Sequence, residues 1–218
     1  MHIKTSALEE LQLGIGSYSC NWGTHICGLY ETEQERDEIV FGYLGQGCID
    51  NDKQIFIHSE QTEEHFWQTL HVECPACTAS KENPGRLDVK KARELYYPEG
   101  VFDPWYMDKA VNGYFDYTQA DGKNNLRAVA EMAWALQAIK GVEHLFAYES
   151  RLNYFVQGRT VLSLCLYNIS KISGETVMNV LRTHPFTING GVITANPFYE
   201  EPDTWLAKNA PQFLNKEG

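Results

Sequence analysis

Apolar and polar residues alternate along the chain in segments whose spacing predicts strands and helices in turn. Short apolar runs at residues 25–30 and 54–58 predict buried strands. Residues 31–46 and 63–71 follow them, with apolar side chains at helical spacing. This strand–helix–strand–helix order is typical of a parallel sheet covered by helices.

The remainder of the chain continues the pattern without a repeat or a long linker. Residues 73–101 are the least regular, and residues 126–139 are apolar except for Arg127, Glu131 and Gln137. We therefore predict one three-layer α/β domain with a mostly parallel sheet over residues 22–200, preceded by a helix and connector (1–21) and followed by a peripheral tail (201–218). Further helices are predicted over 7–13, 88–96, 104–117, 142–157 and 175–183, a strand over 160–167, and a hairpin over 186–195 that turns at Asn189-Gly190-Gly191.

Charge and hydropathy limit the classes of partner. The 218 residues contain 18 Lys and Arg against 29 Asp and Glu, a net charge of −11, which repels phosphate backbones and argues against direct nucleic-acid binding. No apolar run approaches the roughly 20 residues of a membrane helix. The N-terminus lacks the apolar core of a signal peptide, so we expect a cytoplasmic protein with no membrane association.

Six cysteines occur without a secretion signal, so we expect reduced thiols that serve as buried small residues, metal ligands or redox groups. His71, Cys74 and Cys77 are spaced at intervals of three, and such a Cys-x-x-Cys pair can supply half of a tetrahedral zinc site. The alternatives are a redox dithiol and ordinary buried thiols. The other half of a zinc site would have to come from Cys20, Cys27, Cys48 or His65.

Two carboxylates occupy positions that the pattern assigns to the core. Glu149 and Asn153 lie on the apolar stripe of the helix from Val142, and apolar residues flank Glu131 on both sides. A carboxylate buried without a partner costs several kcal/mol or takes up a proton, so each should face a partner or a cavity. The ordinary partner would be Arg127, Arg151 or Arg159.

Other candidates lie on the predicted strands and at one helix end. Cys165 and Tyr167 lie near the carboxyl end of a strand, where parallel sheets usually bind ligands. His25 and Cys27 share one face of another strand, and His184 precedes a proline. Each also has an ordinary interpretation, as a small core residue or a helix-capping side chain.

The first strand–turn–helix segment lacks the features of a phosphate-binding loop. Such a loop needs several glycines and a Lys–Ser/Thr pair, whereas residues 28–38 hold one glycine and no lysine. ATP binding is therefore not expected. Five carboxylates that would repel a triphosphate occur instead: Glu31, Glu33, Glu35, Asp37 and Glu38.

Several ordered motifs, spread over about residues 22–200, resemble MEDS domains, the sensory domains of methanogen and methylotroph regulators related to the dichloromethane-responsive repressor. These motifs are His25-Ile-Cys27 before an acidic helix, the segment 41–47, the strand 55–57, the segment 126–134, the segment 148–153, Cys165-Leu-Tyr167, His184-Pro185 and Asn196-Pro-Phe-Tyr199.

The resemblance implies a KaiC/RecA-like fold that has lost its P-loop, and a role in sensing small hydrocarbon derivatives or one-carbon metabolites. It also implies an output module, such as a kinase or a transcription regulator. By motif, the ligand-binding residues would be His25, Cys27, Glu131, Trp134, Glu149, Asn153, Cys165, Tyr167, His184 and Asn196.

The leading hypothesis is therefore a regulatory domain that binds a small hydrophobic or one-carbon ligand. Segments 1–21 and 201–218 are too short for a helix-turn-helix, so we expect a separate output protein or a fragmentary sequence. A homodimer is permitted, and zinc or iron bound by His and Cys is a variant of this hypothesis. The alternative is an enzyme in which Cys165 is the nucleophile, His184 the base and a carboxylate orients the histidine.

Overall fold

A seven-stranded sheet forms the middle layer of the fold. The computed structural model describes residues 11–16, 19–74, 77, 86–120 and 125–214. The strands are β3 (Thr24–Tyr30), β4 (Lys53–His58), β5 (Leu87–Lys91), β6 (Leu126–Glu131), β7 (Val161–Asn168), β8 (Phe186–Asn189) and β9 (Val192–Ala195). Their spatial order is β5–β4–β6–β7–β3–β8–β9, and all neighbours are parallel except the β8–β9 hairpin. A separate antiparallel pair joins β1 (Leu11–Gln12) to β2 (Ser19–Cys20).

Helices cover both faces of this sheet, which confirms the predicted three-layer α/β fold. The helices are α1 (Glu33–Ile49), α2 (Glu63–Glu73), α3 (Ala92–Tyr96), α4 (Pro104–Gln119), α5 (Leu145–Val156), α6 (Gly174–Thr183) and α7 (Pro202–Asn209). One apolar core lies between the sheet and α1 and α2, and a second lies between the sheet and α3 to α6. Among the described residues, no helix is both long and apolar enough to cross a lipid bilayer.

The turn between β3 and α1 shows how the chain caps this helix without a phosphate. The Thr32 hydroxyl accepts a hydrogen bond from the Glu35 backbone N–H, and the Glu35 carboxylate accepts from the backbone N–H groups of Glu31 and Thr32. This capping box uses the chain's own side chains to satisfy the N–H groups that a phosphate-binding loop directs at its ligand.

Three predicted elements differ in the structure. Leu11–Gln12 form a strand instead of part of a helix, and residues 7–10 of that predicted helix lie outside the described residues. The predicted helix over 88–96 begins as strand β5, because residues 87–91 pair with β4 along the sheet edge, and it becomes helical only at Ala92. The tail is not peripheral, since α7 buries Trp205 and Leu206 in a small core that includes Ala147 of α5.

The cysteines also differ from the expectation of reduced thiols. Cys48, in the last turn of α1, forms a disulfide with Cys77 across a Cα–Cα distance of 5.5 Å. This distance is within the ordinary range for a disulfide. Cys20, Cys27, Cys74 and Cys165 are free thiols, and all four are buried.

A buried arginine, Arg127, connects β6 to β1 and to the turn between α1 and β4. The Arg127 guanidinium donates to the carboxylates of Asp50 and Asp52, at 2.7 Å in each case, and to the carbonyl of Gln12 in β1. The side chains of Arg127 and Asp52 are 0% and 2% exposed. Arg127 therefore pairs with these two aspartates, and it is not the partner of Glu149 or Glu131.

We predict that Arg127→Leu lowers the free energy of unfolding by about 3–5 kcal/mol, because it leaves the Asp52 carboxylate buried without its counter-ion. Urea denaturation followed by circular dichroism measures this loss. Arg159→Leu is the matched control, since Arg159 pairs with Asp116, whose side chain is 69% exposed. The control should lose less than about 1 kcal/mol, and equal losses in the two variants would contradict the assignment.

Candidate functional site

Four buried side chains converge in the core between the sheet and α5 and α6. They are His25, Glu149, Cys165 and His184, here called the buried quartet, and none is more than 2% exposed. One nitrogen, oxygen or sulfur atom from each lies within 4.8 Å of the corresponding atoms of the other three. All four were candidates from the sequence, and the structure brings them together from four different elements.

Strand alternation and helix placement bring the quartet together. His25 on β3 and Cys165 on β7 point to the same face of the sheet because neighbouring parallel strands are in register, with Cys27 opposite Cys165. Glu149 reaches this face from α5, and His184 is the C-cap of α6. Since His25 is only the second residue of β3, the quartet lies over the face of the sheet and not beyond its carboxyl edge.

The contacts within the quartet centre on one carboxylate oxygen. Glu149 Oε2 lies 3.2 Å from His25 Nε2 and 3.2 Å from His184 Nε2. His25 Nε2 also lies 3.4 Å from Cys165 Sγ. The two imidazole rings are tilted against each other with centroids 4.0 Å apart.

The hydrogen bonds of His184 show that its Nδ1 carries a proton. Nδ1 lies 2.7 Å from the Val180 carbonyl and 3.1 Å from the Thr183 hydroxyl, so Nδ1–H donates to that carbonyl. Nε2 is then the ring nitrogen that faces Glu149. Within the described residues, neither His184 Nε2 nor either carboxylate oxygen of Glu149 has a hydrogen bond of acceptable geometry.

Burial and mutual contact set the protonation of the quartet. Burial, together with the neighbouring His184, lowers the pKa of His25 to about 4, so this ring is neutral at pH 7. Burial by itself would raise the pKa of Glu149, but its contacts with His184 and His25 outweigh this effect and lower the pKa to about 2. Burial and then the Glu149 charge raise the pKa of the Cys165 thiol well above its ordinary value. The quartet thus holds a carboxylate and a protonated thiol.

Two other candidates, Asn153 and Asn196, hold the backbone near the quartet. Asn153 Nδ2 donates to the Thr183 carbonyl at 2.9 Å, and Asn196 Nδ2 donates to the His184 carbonyl at 2.7 Å. Both amides therefore fix the end of α6, where His184 leaves the helix. Their observed role is positioning.

Tyr167 and Cys27 lie beside the quartet on the same face of the sheet. The Tyr167 ring meets the His184 ring edge-on with centroids 5.8 Å apart, and within the described residues its buried hydroxyl has no hydrogen-bond partner. The Cys27 thiol lies 3.7 Å from the Phe186 carbonyl, and its burial raises its pKa.

Glu131 does not join the quartet. Its carboxylate accepts hydrogen bonds from the backbone N–H groups of Ser59 and Glu60, each at 2.7 Å, and from the Gln61 amide at 3.2 Å. Arg36 Nε lies 3.5 Å away. Glu131 thus anchors the turn that follows β4.

The alternation of side chains along β6 explains why Glu131 and Cys165 lie on opposite faces of the sheet. Ala130 pairs with Cys165 and lies in the core under α4 and α5, whereas Glu131 pairs with Leu166, which lies in the core under α1 and α2. Trp134 follows β6 in a 3₁₀ turn (Ala133–Leu136) and stacks on Tyr96 with centroids 4.6 Å apart. The residue is fully buried among aromatic rings.

The weak metal candidates form a second cluster that differs from the predicted one. The sulfur atoms of Cys48, Cys74 and Cys77 lie within 4.8 Å of one another, and His71 does not belong to this group. Two of these sulfurs form the disulfide, and Cys74 Sγ lies 2.7 Å from Cys77 Sγ. In this state the cluster offers a single thiol.

An apolar cavity of about 150 Å³ adjoins the quartet. It lies between the sheet and helices α3, α4 and α5, and Cys165 belongs both to its wall and to the quartet. A helix over residues 104–117 was predicted from the sequence, but the sequence did not show that this helix borders a cavity. The wall consists of Ile55, Ile57, Leu95, Tyr96, Met107, Ala110, Val111, Tyr114, Phe115, Ala128, Val129, Ala130, Tyr148, Leu152, Ser163, Leu164 and Cys165.

Comparison with solved structures places the fold in the KaiC/RecA-like class. The KaiC-like protein of the hyperthermophilic archaeon Pyrococcus horikoshii OT3 superposes with a TM-score of 0.57 at 10% identity, covering 83% of this chain and 79% of that one. The flagellar accessory protein FlaH of Methanocaldococcus jannaschii gives a TM-score of 0.51 at 13% identity, covering 85% and 84%. At these identities the likeness defines the fold alone.

The sequence comparisons define the family within that class. The family described as "MEthanogen/methylotroph, DcmR Sensory domain" matches residues 24–185, so the chain belongs to the MEDS family. The transcriptional repressor DcmR of Methylorubrum extorquens is 23% identical over 167 residues, which are 75% of this chain and 58% of the repressor. The chain thus aligns with little more than half of that relative, and it is a sensory, regulatory domain of RecA-like fold.

We predict that Glu131→Gln lowers the free energy of unfolding by about 1.5–3 kcal/mol, because hydrogen bonds to a buried charged group are lost. Chemical denaturation measures the loss. The control is Glu143→Gln, since Glu143 is 66% exposed, and it should change stability by no more than about 0.5 kcal/mol. A stable Glu131→Gln variant would show that this carboxylate is not needed to hold the turn.

Proposed function

We propose that this domain senses a small, weakly polar molecule that binds in the cavity between the sheet and α4 and α5. The observation that carries the proposal is the shared position of Cys165, which connects an apolar cavity to the only buried cluster of two histidines and a carboxylate in the described chain. Membership of a sensory family and similarity to a transcriptional repressor support a regulatory role.

The size and walls of the cavity define the class of ligand. A cavity of about 150 Å³ lined mostly by aliphatic and aromatic side chains has room for a molecule about as large as benzene. A charged ligand would lose its hydration against such walls without gaining a counter-ion. A hydrocarbon derivative, such as a halogenated one-carbon compound, fits this description better than an organic acid or a nucleotide.

Helix α3 is the element that would transmit the effect of ligand binding to an output protein. Leu95 and Tyr96 of α3 form part of the cavity wall, and α3 lies within residues 73–101, whose sequence pattern is the least regular in the chain. A ligand that binds one arrangement of this wall more tightly shifts the population toward that arrangement. We propose that a kinase or a transcription regulator reads this shift.

The enzymatic alternative has one observation in its favour, the 3.4 Å contact between His25 Nε2 and Cys165 Sγ. That distance suits a thiol and a general base. However, burial and then the nearby Glu149 carboxylate raise the pKa of Cys165, whereas a nucleophilic cysteine needs a lowered pKa. The sensory function is therefore the better supported of the two.

We predict that dichloromethane and benzene each raise the melting temperature of the wild-type domain in a saturable way, and that methanol and formate at equal concentration do not. Ala110→Leu fills the cavity from α4 and should weaken binding of both apolar probes by more than about tenfold, the equivalent of 1.4 kcal/mol. Differential scanning fluorimetry and ligand-observed NMR measure these effects.

Lys109→Leu is the matched control for that variant. Lys109 precedes Ala110 on α4 but is exposed and does not line the cavity. Binding should be unchanged in this control. If neither apolar probe binds the wild type, or if Ala110→Leu binds both probes as tightly as Lys109→Leu, the cavity is not the ligand site.

A further inference from the structure

We infer that the buried quartet of His25, Glu149, Cys165 and His184 binds one divalent transition-metal ion, with zinc and ferrous iron as the fitting species. This goes beyond the proposed sensing function, because the argument uses only the quartet and does not depend on whether the cavity takes a ligand.

The spacing of the four atoms is that of a tetrahedral ligand set. Zinc bonds of about 2.0–2.3 Å in a tetrahedron place the ligand atoms roughly 3.3–3.8 Å apart. The contacts of Glu149 Oε2 with His25 Nε2 and His184 Nε2 are both 3.2 Å, and that of His25 Nε2 with Cys165 Sγ is 3.4 Å. The other distances among the four atoms are within 4.8 Å, so one central ion would reach all four after side-chain adjustments of up to about 1 Å.

The nitrogen and oxygen atoms of the quartet converge at short distances. Nε2 of His25 and Nε2 of His184 each lie 3.2 Å from Glu149 Oε2, and within the described residues neither His184 Nε2 nor the Glu149 carboxylate has a hydrogen bond of acceptable geometry. Among the interactions described for Glu149 there is no arginine or lysine partner. Buried polar groups are normally satisfied, and one cation bound among these atoms would satisfy the carboxylate and both imidazoles at once.

The surroundings of His184 are those of a metal-binding histidine. Its Nδ1–H donates to the Val180 carbonyl, and Asn196 fixes its backbone. Metal-binding imidazoles almost always donate their second N–H to a carbonyl or carboxylate, which orients the ring and selects the nitrogen that binds. The hydrogen bond to Val180 thus prepares Nε2 as the ligand atom.

The donor types select the metal. Two imidazoles, one thiolate and one carboxylate suit zinc and ferrous iron, whereas magnesium and calcium prefer sets of oxygen atoms. Binding would release the Cys165 proton to solvent, because the thiolate and not the thiol is the ligand. The second cluster offers only the Cys74 thiol beside the Cys48–Cys77 disulfide, so it provides an internal control.

The test is loading of the purified full chain with Co²⁺ as a spectroscopic substitute, with Zn²⁺ competition and metal analysis after gel filtration. We expect one equivalent per chain, a thiolate-to-cobalt charge-transfer band and d–d bands of tetrahedral intensity. His184→Ala and Glu149→Gln should weaken binding by more than the roughly 10- to 100-fold that outer-shell changes cause. Cys165→Ser should abolish the charge-transfer band.

Two control variants test whether cobalt binds at the quartet and not at another cysteine or histidine. Cys74→Ser removes the thiol of the second cluster, and His144→Ala removes a histidine whose side chain is 40% exposed. Both should keep the full cobalt spectrum. Circular dichroism checks that each variant folds, and Glu149→Gln, which preserves side-chain shape, carries the test if an alanine variant does not fold.

Absence of saturable binding by the wild type would overturn the inference. The same holds if Cys165→Ser keeps the charge-transfer band or if Cys74→Ser removes it. Because no apolar probe is present in this experiment, its failure leaves the cavity-binding result untouched, and failure of the probes to bind leaves the metal result untouched.

Discussion

The feature on which the site depends is the carboxylate of Glu149, which lies fully buried against two imidazoles. Folding must take this charge out of water, and the groups described beside it are the imidazoles of His25 and His184 and the thiol of Cys165. The buried carboxylates of Asp52 and Asp108 instead pair with Arg127 and Arg151. This difference motivates the proposed metal site at Glu149.

Cys165 connects this charged site with an uncharged one. Its side chain meets His25 on one side and the apolar cavity on the other. A molecule in the cavity would thus contact a sulfur atom whose protonation or metal bonding depends on the quartet. In the proposed sensor, the cavity would select the ligand by size and polarity and the quartet would respond through its charge.

The fold was predictable because strands and helices alternate with clear periods, and the apolar stripe of α5 marked Glu149 as a buried charge. The position of Glu131 on the other face of the sheet was not predicted, because residues 126–139 are almost all apolar and were assigned to neither a strand nor a helix. Strand β5 forms through pairing with β4, and the disulfide joins Cys48 to a residue 29 positions away. Such features depend on long-range packing, which spacing along the chain does not encode.

The coupling between cavity and quartet is tested most directly by NMR of the imidazole nitrogens in ¹⁵N-histidine-labelled protein, with and without benzene. The account predicts that saturating benzene shifts the Nε2 resonances of His25 and His184 and leaves those of the surface residue His144 unchanged. If benzene shifts the methyl resonances of Ile55 and Leu152 in the cavity wall but neither imidazole responds, the cavity and the quartet act independently and the account is contradicted.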